Sequence, residues 1–405
     1  MNKKLIIIFF LTINAFVCGQ SKISENNPDR IVLNLTENPA TSIAITWRTV
    51  KESVEPKVEI SKSTQWTDFV KSTVTHNAVK QKFVTDRSDV VYHYSVVIDN
   101  LTPATNYVYR VGSDSVWSEW NQFTTADLIK SPFKFVFLGD PQDDLKEHCS
   151  RVFREAFKKA PDAKFWLIGG DLVTNPQDNL WEEFFYAAGF IFRTMPIIAA
   201  PGNHDHLVID AYGKQKPSKE IASTWTSHFT LPENGLGDLK ETNYYIDYQG
   251  VRFVVINSQV KVVEQASWLD GLLSDNPNKW TIVCFHHPIY SATSERNDKT
   301  TREAFQPIFD KYNVELVLNG HDHTYARSKM IKYGKPVAPG EKGTTYVVSV
   351  SGPKAYPLND KFDDLMVKTG NELQLYQVIE LNENKIFYKA YTVDGNLFDS
   401  FELTK

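Results

Sequence analysis

The sequence predicts an α/β domain preceded by an all-β sandwich, and three observations lead there. Between Phe133 and His323, five short and nearly continuous apolar runs break at glycine, proline or asparagine and give way at once to polar side chains. Runs of that kind belong to strands buried on both faces, in a sheet covered by helices. Between Arg30 and Thr125 the runs are short and alternating, with turns between them, as in an antiparallel sandwich of roughly seven strands. A short polar linker from Ala126 to Pro132 separates the two patterns.

The chain opens with Lys3 and Lys4 ahead of an apolar stretch, Leu5 to Val17, interrupted only by Thr12 and Asn14. A charged start and a short apolar core are what a secretory signal requires, and the stretch is too short to span a bilayer. A signal peptide is therefore expected over residues 1–19, with cleavage near Gly19. A lipidated Cys18 ranks second, because Phe16 and Val17 fit a lipoprotein signal poorly. No later stretch is long and apolar enough to be a membrane span, so the mature chain is expected to be exported: periplasmic, secreted or lipid-anchored at its N-terminus.

Residues 28–126 hold the sandwich, with strand-like runs at Ile31–Leu35, Ser42–Trp47, Val58–Ile60 and Tyr92–Ile98. No histidine cluster or metal spacing occurs there, so a structural spacer packed on the next domain is expected. The aromatic segment Trp117 to Phe123 is expected in its core and at the contact between domains.

Residues 133–405 form the α/β domain. Its five leading strands are expected within Phe133–Leu138, Lys164–Gly169, Met195–Ala200, Thr281–Phe285 and Val314–Asn319. The amphipathic stretches Leu145–Ala160 and Leu180–Arg193 are expected as covering helices. His206 to Asn243 has few long apolar runs and is expected as loops and short helices near the rim. Strand character resumes at Thr242–Asp247, Val251–Asn257, Thr344–Ser351, Leu373–Leu381, Lys385–Thr392 and Phe398–Leu403, enough for a second sheet.

The clusters that end the leading strands are Gly139-Asp140-Pro141-Gln142, Gly170-Asp171, Gly202-Asn203-His204-Asp205, Phe285-His286-His287-Pro288 and Gly320-His321-Asp322-His323. Gly, Pro or Asn lets the backbone turn and aims the polar residue off the strand end. The carboxyl ends of strands in an open α/β sheet are where ligands bind. Any one Gly-Asp is usually a turn. Five clusters in series supply carboxylate and amide oxygens with imidazole nitrogens, a set suited to two divalent metals side by side.

The order GD, GD, GNH, VxxH (Val283 to His286) and GHxH resembles the calcineurin-like metallophosphoesterase superfamily over Phe133 to about Arg327, and the GHDHTYAR neighbourhood is similar to its purple acid phosphatase branch. Trp47 in its run, Leu101–Gly112 and the ending Phe123-Thr124-Thr125 resemble the fibronectin-III-like domain that precedes the catalytic domain in that branch. The resemblance implies a four-layer α/β/β/α sandwich. It implies that Asp140 and His323 bind metal 1, that Asp171 bridges both ions, and that Asn203, His286 and His321 bind metal 2. A hydroxide shared by the two ions is then the nucleophile, and His204 protonates the leaving group or stabilises the transition state. Asp205 has two roles open to it, orienting His204 or capping a loop. His206 and His287 are second-tier substrate contacts. Arg327 can pair with a phosphate oxygen or with a nearby carboxylate.

Two positions depart from the pattern. Where purple acid phosphatases carry a tyrosine three residues after the bridging Asp, this chain has Thr174, and where many superfamily members carry a histidine two residues after the first Asp, it has Gln142. A neutral amide in place of an anionic or imidazole ligand holds Fe(III) less firmly, so a colourless centre of Mn, Zn or Fe(II) is expected, with Gln142 a metal 1 ligand. Some nucleotide-hydrolysing branches also have Gln there. The expected activity is a phosphomonoesterase acting on small phosphorylated substrates. The alternatives are a phosphodiesterase or nucleotide pyrophosphatase and, of another class, an inert exported binding protein.

Composition sets the outer bounds. With 405 residues, 42% apolar and 13% aromatic, the chain has material for two to three well-packed domains. Lys+Arg 44 against Asp+Glu 49 leaves no basic surplus for a nucleic-acid backbone, so polymeric nucleic acid is a poor substrate. Oligomeric state is not readable from these patterns. Cys149 and Cys284 follow the signal segment, and two free thiols are expected.

Overall fold

The computed structural model describes residues 26–113, 116–210, 214–293 and 296–405; the signal-like segment 1–19 and Cys18 lie outside them. The N-terminal domain contains β1 (Asp29–Asn34), β2 (Ile43–Thr49), β3 (Lys57–Lys62), β4 (Val74–Asn77), β5 (Val79–Val84), β6 (Val90–Ile98), β7 (Asn106–Ser113), β8 (Val116–Trp117) and β9 (Asn121–Thr124). Two sheets enclose a core that includes Ile45, Trp47, Val58, Tyr94, Tyr109 and Phe123. More strands are present than the roughly seven expected, because β4, β5 and β8 are short and largely exposed and so leave little hydrophobic signal. In Trp117 to Phe123, Phe123 is buried, while Trp117 and Trp120 flank the Arg110 guanidinium at 4.4 and 4.7 Å.

The second domain begins with β10 (Phe133–Leu138), α1 (Ser150–Lys159), β11 (Trp166–Ile168), α2 (Asp178–Ala188), α3 (Ile191–Thr194) and β12 (Ile197–Ala199). The helix expected over Leu180–Arg193 is two helices, broken at Gly189, whose φ of 56° takes the chain out of the helical region. Next come β13 (Leu207–Ile209), β14 (Gln215–Pro217), α4 (Ser223–His228), β15 (Tyr244–Tyr248), β16 (Val251–Val255), α5 (Val262–Ser274), β17 (Trp280–Cys284), α6 (Lys299–Tyr312) and β18 (Leu316–Asn319). The hairpin of β13 and β14 was not expected; strands of three residues are too short to show a period. The chain closes with β19 (Tyr325–Ser328), β20 (Ile331–Lys332), β21 (Lys335–Pro336), β22 (Thr345–Val348), β23 (Met366–Gly370), β24 (Leu375–Leu381), β25 (Lys385–Thr392) and β26 (Leu397–Thr404).

Two sheets lie face to face with helices outside them. β10, β11 and β12 run parallel with Val136, Trp166 and Ile197 in register, so their carboxyl ends finish on one rim. In the second sheet β16, β17, β18 and β22 run parallel with Cys284, Leu318 and Val347 in register. The core between the sheets includes Phe135, Phe165 and Phe253, whose rings meet at 5.2 to 5.3 Å in stacked and edge-on pairs. Such contacts add about 0.5–1.5 kcal/mol each beyond burial. On one outside face α1 presents Val152, Phe153 and Ala156; on the other α6 presents Phe305 and Phe309, one turn apart, after an Asp298 N-cap that accepts from Thr301 N at 2.9 Å. Cys149 and Cys284 are free and buried. No helix among the described residues is long and apolar enough to cross a membrane.

The spacer does more than pack alongside. β1 pairs in parallel with β12 at Asn34 and Ile197, so one sheet runs unbroken through ten strands, from β26 through β10 to β5. Asn34 fastens the joint by donating to the Ile197 carbonyl at 3.3 Å and accepting from Thr230 N at 3.0 Å. Beside it, Asp178 pairs with Arg30 at 2.7 Å and Arg48 at 3.1 Å, and His228 stacks on Trp181 and meets His93 edge-on at 4.7 Å.

Burial and then the charges of Arg30 and Arg48 push the pKa of His93 down from 6.5 to about 3. The unfolded chain therefore takes up a proton at this residue before the folded one does. Stability contributed by neutral His93 is full above a pH of about 6.5 and is lost as pH falls towards about 3, with a slope near 1.4 kcal/mol per pH unit. His93→Phe is expected to flatten the fall of melting temperature between about pH 6.5 and 4.5 relative to the unaltered chain. Equal slopes in the two proteins place the acid sensitivity elsewhere.

Candidate metal centre

The five clusters meet where the rims of the two sheets adjoin. Asp140 follows β10, Asp171 follows β11, Asn203 and His204 follow β12, His286 follows β17, and His321 and His323 follow β18. Asp140, Asp171, His321 and His323 all have left-handed φ, between 42° and 73°, which costs a non-glycine residue of order 1 kcal/mol or more. Close approach of backbone makes room for the carboxylates: a Cβ on Gly202 would lie 2.1 Å from Asp171 Oδ1, and one on Gly320 would lie 2.1 Å from Asp140 Oδ2.

Asp171 is central. Its Oδ1 accepts from His204 N at 2.8 Å, and its Oδ2 lies 3.0 Å from His286 Nε2 and 3.1 Å from Gln142 Nε2. His286 Nδ1 donates to the Gly169 carbonyl at 2.9 Å, which aims Nε2 inward, 3.1 Å from His321 Nδ1. Asp140 Oδ2 accepts from His321 N at 2.6 Å, and Oδ1 lies 3.7 Å from His323 Nε2. Gln142 Nε2 also stands 3.1 Å from His323 Nε2.

Burial holds the Asp140 carboxyl well above the usual carboxylate range. Burial pushes Asp171 the same way, but the charge and hydrogen bond of His286 prevail and its pKa is lowered. Burial works against a charge on His286, yet Asp171 and Asp140 raise its pKa to about 9. His321 and His323 are pushed down by burial, His323 to about 3.

Asp140 Oδ1, Gln142 Oε1, Asn203 Oδ1 and Asp205 Oδ1 are buried without a hydrogen-bond partner. An unpaired buried acceptor costs about 1–3 kcal/mol, so a cluster of them is expected where cations complete the interactions. Asp171, His286 and His321 each offer a ligand atom within 4.8 Å of one another. Carboxylate, amide and imidazole donors together suit Mn, Fe or Zn, and these residues fit such ions.

Some expected residues stand elsewhere. Arg327 is committed to Asp399, with Nε at 2.6 Å and Nη2 at 3.0 Å, so of its two roles it fills the carboxylate-pairing one. Asp205, expected among the catalytic groups, caps loops instead: its Oδ2 accepts from Gly202 N at 2.8 Å and Asp171 N at 2.9 Å. His206 lies 3.0 Å from Asn257 Nδ2, and both line a cleft of about 1040 Å³ rather than the ligand cluster. His287 is at the cluster, its ring 4.3 Å from that of His321 and its Nδ1 2.8 Å from Ser258 Oγ.

Other groups were missed. The Thr174 carbonyl takes His204 Nδ1 at 2.6 Å, and the Thr174 hydroxyl donates to Asp143 Oδ1 at 2.7 Å. Arg296 binds the His321 carbonyl and lies 3.3 Å from Asp322 Oδ1. Neither carries a sequence signal, since a carbonyl is independent of side-chain type and Arg296 sits in no motif.

The family model described as calcineurin-like phosphoesterase matches residues 133–325, a span holding every candidate ligand, and the purple acid phosphatase N-terminal domain model matches residues 28–125. The chain carries a calcineurin-like phosphoesterase domain behind a purple acid phosphatase N-terminal domain. An uncharacterised protein of Mycobacterium tuberculosis is 26% identical to this chain over 345 residues, covering 74% of the chain and 62% of that protein. The chain thus spans about three fifths of that relative's length. Fe(3+)-Zn(2+) purple acid phosphatase 12 of Arabidopsis thaliana is 24% identical over 325 residues, covering 76% of the chain and 66% of that protein. The structure of purple acid phosphatase PPD1 from yellow lupin superposes with a TM-score of 0.79 at 18% identity, over 94% of this chain and 74% of that one. The fold is therefore that of a purple acid phosphatase, with an N-terminal β-sandwich ahead of the phosphoesterase domain.

Gln142→Ala is expected to lower the metal content of the folded protein from about two ions per chain towards one. Elemental analysis of purified protein checks this, and unaltered stoichiometry removes Gln142 from the ligands.

Proposed function

We propose that this chain is an exported phosphomonoesterase that hydrolyses small phosphorylated substrates at two divalent ions held by Asp140, Gln142, Asp171, Asn203, His286, His321 and His323. The observation that carries the reading is the gathering of buried, unpaired acceptor atoms around Asp171 at the joint rim of two sheets. When bound, a pair of divalent ions acidifies a water and offsets charge on a phosphoryl group. Asp171 presents its second oxygen to both groups of ligands. His204, with Nδ1 held by the Thr174 carbonyl and Nε2 4.0 Å from Asp171 Oδ2, would pass a proton from Nε2 to the leaving oxygen. His287, bonded to Ser258 Oγ with its ring beside that of His321, is the candidate substrate contact at the cluster.

Thr174 and its bond to Asp143 leave no phenolate for ferric iron, which supports Mn, Zn or Fe(II) and a colourless protein. Export rests on the charged and apolar residues of the first nineteen positions.

His204→Ala is expected to lower kcat about 100-fold with metal content nearly unchanged. Equal activity in that variant assigns the proton to another group. For substrate class, the rate on bis(p-nitrophenyl) phosphate divided by that on p-nitrophenyl phosphate is expected to lie below one. A ratio well above one replaces the monoesterase reading with a phosphodiesterase, which Gln142 would suit.

A further inference from the structure

Beside the metal-binding cluster stand two cations that the phosphoryl chemistry leaves unused. Tyr356 is packed edge-on against His323, ring centroids 5.0 Å apart, and its amide donates to the His323 carbonyl at 3.4 Å. The Arg296 guanidinium lies over the Tyr356 ring at 5.0 Å, and Lys354 Nζ lies over the same ring at 5.4 Å. Among the described residues Arg296 reaches protein acceptors through Nη1, to the His321 carbonyl and Asp322, and its side chain is 29% exposed. Lys354 is half-buried, and its recorded contact among the described residues is the Tyr356 ring.

The chain is net negative, and Arg296, like Arg30, Arg48, Arg252 and Arg327, has a carboxylate partner, Asp322, which engages only its Nη1 among the described residues. Two cations gathered on one ring at the edge of a phosphate site, with donor capacity left over, form an anion subsite. Both stand on the ring that packs against His323, beside the candidate ligands rather than among them.

We infer that Arg296 and Lys354, aligned on Tyr356, bind a second anionic group of the substrate, so that the favoured substrate is the terminal phosphoryl of a diphosphate rather than a simple ester. This rests on the phosphohydrolase reading and names the substrate class within it. Hydrolysis breaks the bond from the terminal phosphorus to the bridging oxygen. Water supplies the incoming oxygen, the products are orthophosphate and the shortened phosphate, and no redox partner is involved.

The test compares kcat/KM on a nucleoside diphosphate with that on p-nitrophenyl phosphate for the unaltered protein, Arg296→Gln, Lys354→Gln and the double variant. Each single change is expected to lower the diphosphate-to-ester ratio about 10-fold, the double change more, and Arg296→Lys is expected to recover part of the loss. An unchanged ratio in the double variant overturns the subsite. A second arm needs no turnover: calorimetry on metal-loaded protein measures affinity for methylenebisphosphonate relative to orthophosphate. That preference is expected to drop at least about 10-fold in the double variant, and complexation of metal in solution cancels because it is common to both proteins. Loss of the preference in a protein that hydrolyses no ester leaves the subsite standing and removes the phosphohydrolase reading. Normal ester hydrolysis with an unchanged preference does the reverse.

Discussion

Everything at the rim follows from putting carboxylates where water cannot reach them. Asp140, Asp171 and Asp205 are nearly inaccessible and lie close enough to perturb one another, an arrangement that repulsion and desolvation oppose strongly. Each is held by a different device, and Asp140 and Asp205 each keep one oxygen unpaired. Asp205 takes two backbone amides, Asp140 takes the amide of His321, and Asp171 takes an amide, an imidazole and a carboxamide. The left-handed backbone at four of the cluster residues and the bare α-carbons of Gly202 and Gly320 are what bring those donors into range. Local strain is tolerated there because the strands behind the loops are anchored in a core that does not yield.

That anchoring has a simple geometry. Parallel strands in two sheets end at matching registers, and the aromatic contact of Phe135, Phe165 and Phe253 fixes one sheet against the other. Ligands from residues 140 to 203 come from one sheet and those from 286 to 323 from the other. The cluster thus straddles the interface between layers, where a small slip of one sheet would separate His286 from Asp171.

Strands and ligand clusters were legible because both are written locally. An apolar run followed by Gly-Asp or Gly-Asn-His states its strand and its turn within eight residues, and Asp140, Asp171, His286 and His321 lie together in the fold. What depends on distant partners was not legible. Arg327 follows the last ligands closely, yet its fate is decided by Asp399, seventy-two residues later. Asp205 adjoins His204, but left-handed backbone at Asp171 presents an amide to its carboxylate. The break at Gly189 is visible as a glycine but not as a helix end, since glycine within an apolar pattern is often tolerated. Arg296 and Lys354 became a pair only through Tyr356.

The pairing of β1 with β12 carries one sheet across the boundary that the linker marks between the two domains. A fragment starting at Phe133 would bare the Ile197 carbonyl on the edge of β12, which takes Leu35 N at 3.4 Å and Asn34 Nδ2 at 3.3 Å. Open edges of that sort recruit strands from other molecules. The sandwich therefore covers that part of the edge, and insolubility of a truncated chain would say nothing about whether the remaining part can fold.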